Sequence, residues 1–252
     1  MRRVHCSAAA VAALMLVSAV STADAQAAGR GGAAAAAQGT EANDAARKVS
    51  GGGITILGWM GKIDAKEEQA GMKLENSKLE AVGDAIHVVT GPAVTYWLPT
   101  NEAKGDYEVS ATFREPKYME LNDHPHPYGI VIGGNDLGTE NQSYLYCAAY
   151  GNGNFIVRGF GPSAFQVNGR RGEANAAVNK AAAKGAEVTQ TIKVVAHGNQ
   201  VICSINGTVV GIYEKSAIVG PGKIKSTDGV YGIRFAHNTE AFVTGLKMVK
   251  HQ

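Results

Sequence analysis

The sequence predicts an all-β fold, an antiparallel jelly-roll β-sandwich, on two observations. Residues 129–160 and 188–213 each have the pattern of β-hairpins, in which alternating apolar strands are joined by Gly/Asn turns. Tyr107 to Arg114 alternates apolar and polar residues throughout, so one face of this strand is expected to be buried and the other wet. Such period-two strands argue against a nucleotide-binding α/β enzyme and favour an antiparallel sandwich.

The strands and turns can be assigned in order along the chain. Lys78–Val82 and Ala85–Thr90 are expected to pair about the Gly-Asp turn between them. Gly151–Asn154 is the predicted turn of the first hairpin block, and His197–Gln200 is that of the second. Between the blocks, Glu173–Lys184 has a helix-forming composition, which predicts a surface loop with a short helix.

The first 25 residues have the pattern of an export signal. Two arginines near the start precede a short apolar run at 8–20, and residues 23–25 form a small-x-small cleavage site. Because the run is too short to span a bilayer comfortably, we expect a secreted or periplasmic protein without membrane insertion of the mature chain. Residues 26–53 are an Ala/Gly-rich stretch expected to be a disordered linker, and residues 54–252 are expected to form one domain.

The balance of charged residues limits the classes of molecule that the protein is expected to bind. The chain has 24 basic and 22 acidic residues, and removal of the predicted signal leaves it almost neutral. A nearly neutral chain with scattered basic residues gives no electrostatic case for nucleic acid as a partner.

Two cysteines, Cys147 and Cys203, remain after the predicted signal, which contains Cys6. In an oxidising compartment they could form one disulfide. Each is in phase with apolar neighbours on its strand, so the favoured interpretation is a pair of small buried hydrophobic residues. Their spacing matches no zinc motif.

Aromatic and basic residues on neighbouring strands form a candidate carbohydrate-binding face. Tyr144 and Tyr146 share one side of their strand, and Arg158 shares a side of the next strand with Phe160. Flat rings suit the C–H faces of sugars, and a guanidinium offers planar donors to hydroxyl groups. A purely structural role, in which the tyrosines cover the sheet, is the alternative.

Two loops supply further candidates for ligand binding. His124 and His126 alternate with prolines, and three readings remain open: a metal ligand pair, a lining of the ligand groove, or a plain loop. Asp136 follows the strand that begins near Gly129, and with Glu140 it could form a catalytic carboxylate pair. Calcium binding through oxygens of Asn135 and Asp136 is a weak alternative, and we otherwise expect neither a metal nor a cofactor.

Several short motifs dominated by glycine carry a resemblance to a known family. The sequence resembles the secreted 3-keto-disaccharide hydrolase-like domains, within the concanavalin A-like and laminin-G-like jelly rolls. The resemblance covers nearly all of residues 54–250 and rests on Tyr128-Gly-Ile-Val-Ile-Gly-Gly134, Tyr144-Leu-Tyr146, Asn152-Gly-Asn-Phe155, Ser204-Ile-Asn-Gly207 and Gly229-Val-Tyr-Gly-Ile-Arg234.

The resemblance implies a jelly roll and, as an expectation, glycoside hydrolysis. The chain departs from the family pattern on the central strand. Tyr128 stands before Gly129 where members often have Asn-Ser, and Gly133-Gly134 occupy the place of the family's arginine. This departure argues against catalysis.

The sequence therefore predicts an exported domain that binds carbohydrate on a concave aromatic face, with the tyrosine rings and Arg158 open to solvent, and without catalysis. A glycoside hydrolase acting on 3-keto-disaccharides or related glycans is the alternative. A structural or adhesive envelope module is a further one, because jelly rolls host many unrelated roles.

Overall fold

The computed structural model describes residues 46–161 and 163–251, and it confirms an all-β sandwich of two sheets. The predicted signal and residues 26–45 of the predicted linker lie outside this range. The strands of the first sheet are β1 (Gly53–Ile54), β3 (Ser77–Val82), β4 (Ala85–Thr90), β6 (Tyr107–Glu115), β12 (Val188–His197), β13 (Gln200–Ile205), β14 (Thr208–Glu214) and β16 (Glu240–Lys250). The strands of the second sheet are β2 (Met60–Ile63), β5 (Val94–Ala103), β7 (Tyr128–Asn135), β8 (Ser143–Ala149), β9 (Asn154–Phe160), β10 (Ala164–Gln166), β11 (Glu173–Ala174) and β15 (Gly229–Phe235).

The spatial order of the strands differs from their order along the chain. The first sheet runs β1-β3-β4-β16-β6-β12-β13-β14, and the second runs β10-β9-β8-β7-β15-β5-β2, with β11 also paired to β9. Neighbouring strands are antiparallel, apart from β1, which is parallel to β3. This order places β7, β8 and β15 in the middle of the second sheet.

The alternation that predicted β6 is confirmed. Its apolar positions are buried and its polar positions are half-buried, in strict succession from Tyr107 to Arg114. The buried positions face the second sheet, and the core between the sheets contains large rings from both, among them Tyr96, Tyr107, Phe113, Tyr128 and Phe235. The amphipathic pattern of one strand thus identified the inner face of its sheet.

The predicted turns are also confirmed. Strands β8 and β9 are joined at Gly151–Asn154, where the Tyr150 N–H donates to the Asn154 carbonyl at 2.9 Å. Strands β12 and β13 are joined at His197–Gln200, where His197 pairs with Gln200. A further turn joins β13 to β14 at Asn206 and Gly207, which have φ of 51° and 83°. Two successive left-handed residues match the twist of a tight hairpin, which explains the Asn-Gly sequence at this position.

Helices are short in the described residues. The α-helices are α1 (Ala65–Gln69) and α2 (Lys215–Ile218), a 3-10 helix lies at Leu74–Asn76, and none is long and apolar enough to cross a membrane. The helix predicted within Glu173–Lys184 is wrong, since this segment forms β11 and turns. The Asn175 side chain accepts from the Ala177 N–H at 2.9 Å, and such local bonds compete with helix formation.

Cys147 and Cys203 form a disulfide that joins the two sheets, so the preference for two separate buried thiols is wrong. The prediction that each cysteine lies on the apolar side of its strand is confirmed, because both side chains belong to the core between the sheets. They come from facing strands, β8 and β13, with their α-carbons 6.2 Å apart, within bonding range. The bond is consistent with an oxidising, extracytoplasmic compartment.

Strands β7 and β8 are buried along almost their whole length on both faces. On β7, Ile130 and Ile132 belong to the core between the sheets, whereas Val131 belongs to a second cluster on the other face. Continuous burial agrees with the unbroken apolar run of Gly129 to Gly134. Along β7 and β8, the outer face of the second sheet is therefore covered by packed side chains rather than by solvent.

Glu115, the last residue of β6, is a buried acid with 6 % exposure. Burial raises its pKa to about 7, against smaller opposing effects of the Met119 backbone and the Tyr128 hydroxyl. Its Oε2 atom makes no hydrogen bond with the described residues. Ionisation of Glu115 is therefore costly in the folded protein.

We expect Cys203→Ala to lower the free energy of unfolding by about 2–4 kcal/mol, because the disulfide closes a long loop in the unfolded chain. The bridged residues are 56 positions apart. Urea unfolding measures the change, and the reduced wild-type protein serves as the control. Equal stability of oxidised wild type and variant would contradict a stabilising bridge.

We expect the wild-type protein to lose stability relative to Glu115→Gln as the pH rises from 4.5 to about 7. In this window the folded protein retains a proton that the unfolded chain has released, so the unfolding free energy falls by about 3 kcal/mol at 1.36 kcal/mol per pH unit. Urea unfolding between pH 4 and 8 measures the difference. Glu140→Gln, at an exposed loop position, is the control, and parallel pH profiles for wild type and Glu115→Gln would exclude this role of Glu115.

Candidate functional site

The outer face of the second sheet, which points away from the first sheet, carries the candidate site. Side chains on this face form a cluster, here called the outer-face cluster, with buried and partly buried members. The buried members are Val131, Tyr144, Tyr146, Ala148 and Ile156, and the partly buried members are Leu137, Tyr150 and Phe160. The cluster is separate from the core that holds the sheets together.

The structure places Tyr144, Tyr146 and Arg158 on this face, as their phase along the strands predicted. Tyr146 lies directly opposite Arg158 in the pairing of β8 with β9, and Tyr144 lies opposite Phe160. The expectation that both tyrosine rings are open to solvent is wrong, because their exposures are 0 % and 4 %. Phe160 stacks on Tyr144 with ring centres 5.0 Å apart.

Arg234 on β15 is the charged centre of the site. Its guanidinium forms a two-pronged ion pair with Asp64, Nη1 to Oδ1 at 2.9 Å and Nη2 to Oδ2 at 2.6 Å. Nη1 also lies 3.0 Å from the Thr95 hydroxyl and 3.0 Å from the Tyr144 hydroxyl. Asp64 immediately precedes α1, so the helix and three strands are joined through one arginine.

Aromatic rings surround the same guanidinium. Its central carbon lies 4.8 Å from the ring centre of Phe160, 5.2 Å from that of Tyr146 and 5.9 Å from that of Tyr144. These distances fall within the range of cation–π attraction. Burial disfavours the positive charge, but Asp64 outweighs it and raises the pKa of Arg234, so the guanidinium remains charged.

Burying the charge of Arg234 has a desolvation cost that an apolar side chain at the same position would not have. A buried ion pair is weak as a source of stability, because the desolvation of both charges offsets their attraction. Arg234 lies in a strand whose inward neighbours, Ile233 and Phe235, are fully buried and apolar. A charged, ring-lined group at the middle of an outer face is therefore a candidate for function.

Arg158 is half-buried at the edge of the same face. Its Nη2 donates to the Arg170 carbonyl at 3.2 Å, and with the amide oxygen of Gln166 turned toward it, Nη2 and Nε donate at 3.0 and 2.9 Å. These contacts hold the guanidinium against β10 and the Arg170 carbonyl. Two arginines thus lie on the same face of the sheet, Arg234 buried and Arg158 partly accessible.

The histidine candidates occupy a different place. His124 and His126 lie in the loop between β6 and β7, with their Nε2 atoms 2.9 Å apart. The ring of His126 also contacts that of His237, after β15, at 4.1 Å between centres. The Nδ1 atom of His237 lies 3.6 Å from Glu67 in α1, the helix that follows Asp64. The histidines therefore adjoin the α1 side of the arginine site.

Asp136 lies at the opposite end of β7 from the histidines. Eight residues of strand separate the two groups, about 25 Å at 3.3 Å per residue, so the six predicted residues do not meet in one groove. The Asp136 carboxylate pairs with Lys225, and the Asn135 amide donates to the carbonyls of Gly133 and Asp228, each at 3.0 Å. Among the described residues, no group of three or more His, Cys, Asp or Glu side chains is suited to hold a metal ion.

The three residues that organise the site were not among the site residues predicted from the sequence. Asp64, Thr95 and Arg234 come from distant parts of the chain, and no local motif links them. One signal was present: Arg234 is a lone charge in the apolar run Tyr231 to Phe235, and a buried arginine requires a partner. The identity of that partner depends on the strand order.

Comparison with solved structures places the fold among the galectin-like, concanavalin A-like β-sandwiches. A Bacillus subtilis protein described as having a galectin-like fold matches with a TM-score of 0.50 at 13% identity, over 76% of this chain and 89% of that chain. An endo-β-1,3-glucanase from Pyrococcus furiosus matches with a TM-score of 0.48 at 11% identity, over 77% and 89% of the two chains. A carbohydrate-binding module from Bacillus subtilis matches with a TM-score of 0.44 at 8% identity, over 78% and 98%.

These likenesses concern the fold alone, because the sequence identities are low and the second and third TM-scores are below 0.5. No protein-family model matches the chain, and no curated protein is similar to it in sequence.

We expect Asp64→Ala to lower the free energy of unfolding by about 3 kcal/mol, because it leaves the buried guanidinium of Arg234 without its counter-charge. Thermal or urea unfolding measures the loss. The double variant Asp64→Leu/Arg234→Met is the matched control and should recover most of it. A double variant as unstable as Asp64→Ala would show that packing, not charge, is responsible.

Proposed function

We propose that this protein is an exported jelly-roll domain that binds carbohydrate on the outer face of its second sheet, without catalysis. The observation that carries the proposal is the cluster of Tyr144, Tyr146 and Phe160 around the charged guanidinium of Arg234, with Arg158 at its edge. Rings and planar donors on one sheet face are the groups that sugar recognition uses.

The side chains of the proposed site differ in solvent exposure, and we propose a different role for the buried and the half-buried ones. Tyr144 and Arg234 are too deeply buried to touch a sugar first, and they support the face through their hydrogen bond. Phe160 and Arg158 are half-buried and offer a ring and a guanidinium at the accessible edge. In the proposed complex, a sugar ring stacks on Phe160 and its hydroxyl groups accept from Arg158. Tyr146, at 4 % exposure, supports the face from beneath, as Tyr144 and Arg234 do.

The proposed location rests on two independent features. The first 25 residues have the pattern of an export signal, and the disulfide between Cys147 and Cys203 is consistent with an oxidising compartment. Glycans are abundant in such compartments as wall and envelope polymers. We therefore propose a secreted or periplasmic site of action.

We expect Phe160→Ala and Arg158→Ala each to weaken glycan binding at least tenfold, because each removes one of the accessible contacts. A glycan array identifies a ligand, and isothermal titration calorimetry with that ligand measures the affinities. The first sheet offers matched controls on its own outer face, where the Arg114 guanidinium lies 4.4 Å from the ring centre of Phe242.

Arg114→Ala and Phe242→Ala should leave the affinity within twofold of wild type. Equal weakening by variants on both sheets, or unchanged affinity in Phe160→Ala, would refute the proposed face.

Glycoside hydrolysis is the second candidate, favoured by one observation and by the resemblance to the 3-keto-disaccharide hydrolase-like family. The carboxylates of Asp64 and Glu67 flank the start of α1, and Glu67 lies 3.6 Å from His237. A carboxylate beside an imidazole is an arrangement that general acid–base catalysis uses. Product release from a 3-keto-disaccharide, compared between wild type and Glu67→Gln, tests this candidate, and the absence of turnover by folded wild type removes it.

A further inference from the structure

The guanidinium of Arg158 is held by the protein along one edge. Its Nη2 donates to the Arg170 carbonyl at 3.2 Å, and Nη2 and Nε donate at 3.0 and 2.9 Å to the amide oxygen of Gln166 when that oxygen is turned toward them. An arginine has five N–H donors, and these contacts use the Nε hydrogen and both Nη2 hydrogens. The Nη1 group therefore has two N–H donors that the described residues do not use, on a side chain that is already positioned.

The positive charge of Arg158 has no acidic partner in the part of the chain that the structure describes. Both of its acceptors, an amide and a peptide carbonyl, are neutral. By contrast, Arg234 pairs with Asp64 at 2.6 Å, and Arg114 on the first sheet pairs with Glu187 at 3.0 Å. A half-buried guanidinium without a carboxylate partner attracts an external anion more strongly than one that already has such a partner.

Further positive charge lies on the segment that follows Arg158. Residues 141–172 contain no Asp or Glu, and they also contain Arg170 and Arg171, which are both exposed. The next acidic residue is Glu173, whose carboxylate accepts from a backbone N–H at 2.9 Å. This edge of the second sheet is therefore positively charged, although the whole chain is nearly neutral.

Tyr150 connects the charged edge with the outer-face cluster, of which it is a partly buried member. Gly172 lies against its ring, since a methyl group on the glycine α-carbon would lie 3.0 Å from the tyrosine Cε2 atom. Burial raises the pKa of Tyr150 to about 12, and the charge of Arg158 opposes this rise. A ligand on the cluster therefore meets positive charge at this edge.

We propose that the glycan bound at the outer face of the second sheet is acidic, with a carboxylate or sulfate group on Nη1 of Arg158; this ligand class depends on the carbohydrate-binding function proposed above. Charge-assisted hydrogen bonds to an anion are about twice as strong as bonds to a neutral group. Phe160 and Arg158 are two residues apart on β9, about 6.6 Å, and they share a face. A sugar stacked on Phe160 therefore lies within reach of the guanidinium.

Calorimetric titration of the full chain with matched oligosaccharides tests the proposal. The probes are oligomers of galacturonic, glucuronic and mannuronic acid with their carboxyl-reduced counterparts, and sulfated galactan oligomers with their desulfated counterparts. We expect the wild type to bind at least one acidic probe about tenfold or more tightly than its neutral counterpart, because only the acidic form compensates the charge of Arg158. The two sets of probes distinguish a carboxylate from a sulfate.

Arg158→Gln removes the charge and keeps planar N–H donors, so the ratio of acidic to neutral affinity should fall to within about threefold of one. Arg114→Gln is the matched control, because this arginine also lies beside an aromatic ring on an outer face but has a carboxylate partner. It should leave the ratio unchanged. Near-ultraviolet circular dichroism checks that both variants are folded.

The salt dependence of wild-type binding gives a second measurement that needs no variant. Raising the NaCl concentration from about 0.05 M to about 0.5 M should weaken binding of the acidic probe at least about threefold and leave its neutral counterpart unchanged, because salt screens charge.

Equal affinity for acidic and neutral counterparts in the wild type overturns the acidic-ligand proposal but leaves carbohydrate binding in place. Absence of binding to every glycan removes both. Acidic binding that salt does not weaken also contradicts the proposed ion pair. An acid preference that persists in folded Arg158→Gln, or that Arg114→Gln abolishes as well, overturns the assignment to Arg158.

Discussion

Strands β7 and β8 bury both of their faces, and the rest of the second sheet is arranged around this constraint. Their inner residues complete the core with the first sheet, and their outer residues need cover of their own. The outer-face cluster provides that cover with aromatic rings from β8 and β9. A ring-lined surface therefore follows from the burial of the central strands on both of their faces.

Arg234 places a positive charge in the middle of this apolar cover, so its loss of hydration has to be compensated by other contacts. The ion pair with Asp64, the hydroxyls of Thr95 and Tyr144, and three aromatic rings together compensate its desolvation. Asp64 leads into α1, and Glu67 of that helix lies 3.6 Å from the Nδ1 atom of His237. The buried guanidinium is therefore paired at the start of the helix that also contacts His237.

The disulfide stabilises the folded sandwich, whereas the buried acid Glu115 destabilises it when it ionises. Cys147–Cys203 ties the middle of one sheet to the other, and its contribution does not depend on pH within the physiological range. Glu115 weakens the end of β6 once it ionises, because its buried carboxylate has no counter-charge among residues 46–161 and 163–251. The fold therefore combines a covalent constraint at its centre with a pH-sensitive position at its end.

The sequence by itself determined the fold class, the turns and the face on which each strand residue lies. These depend on local rules: period-two alternation, Gly/Asn turn chemistry and the length of apolar runs. Tertiary structure alone decided that Cys147 meets Cys203, that Arg234 meets Asp64, and that Tyr144 and Tyr146 are buried. Strand order and the packing of one sheet against the other bring these residues together across 56 to 170 positions of sequence. No periodicity along a strand encodes which distant strand becomes its neighbour.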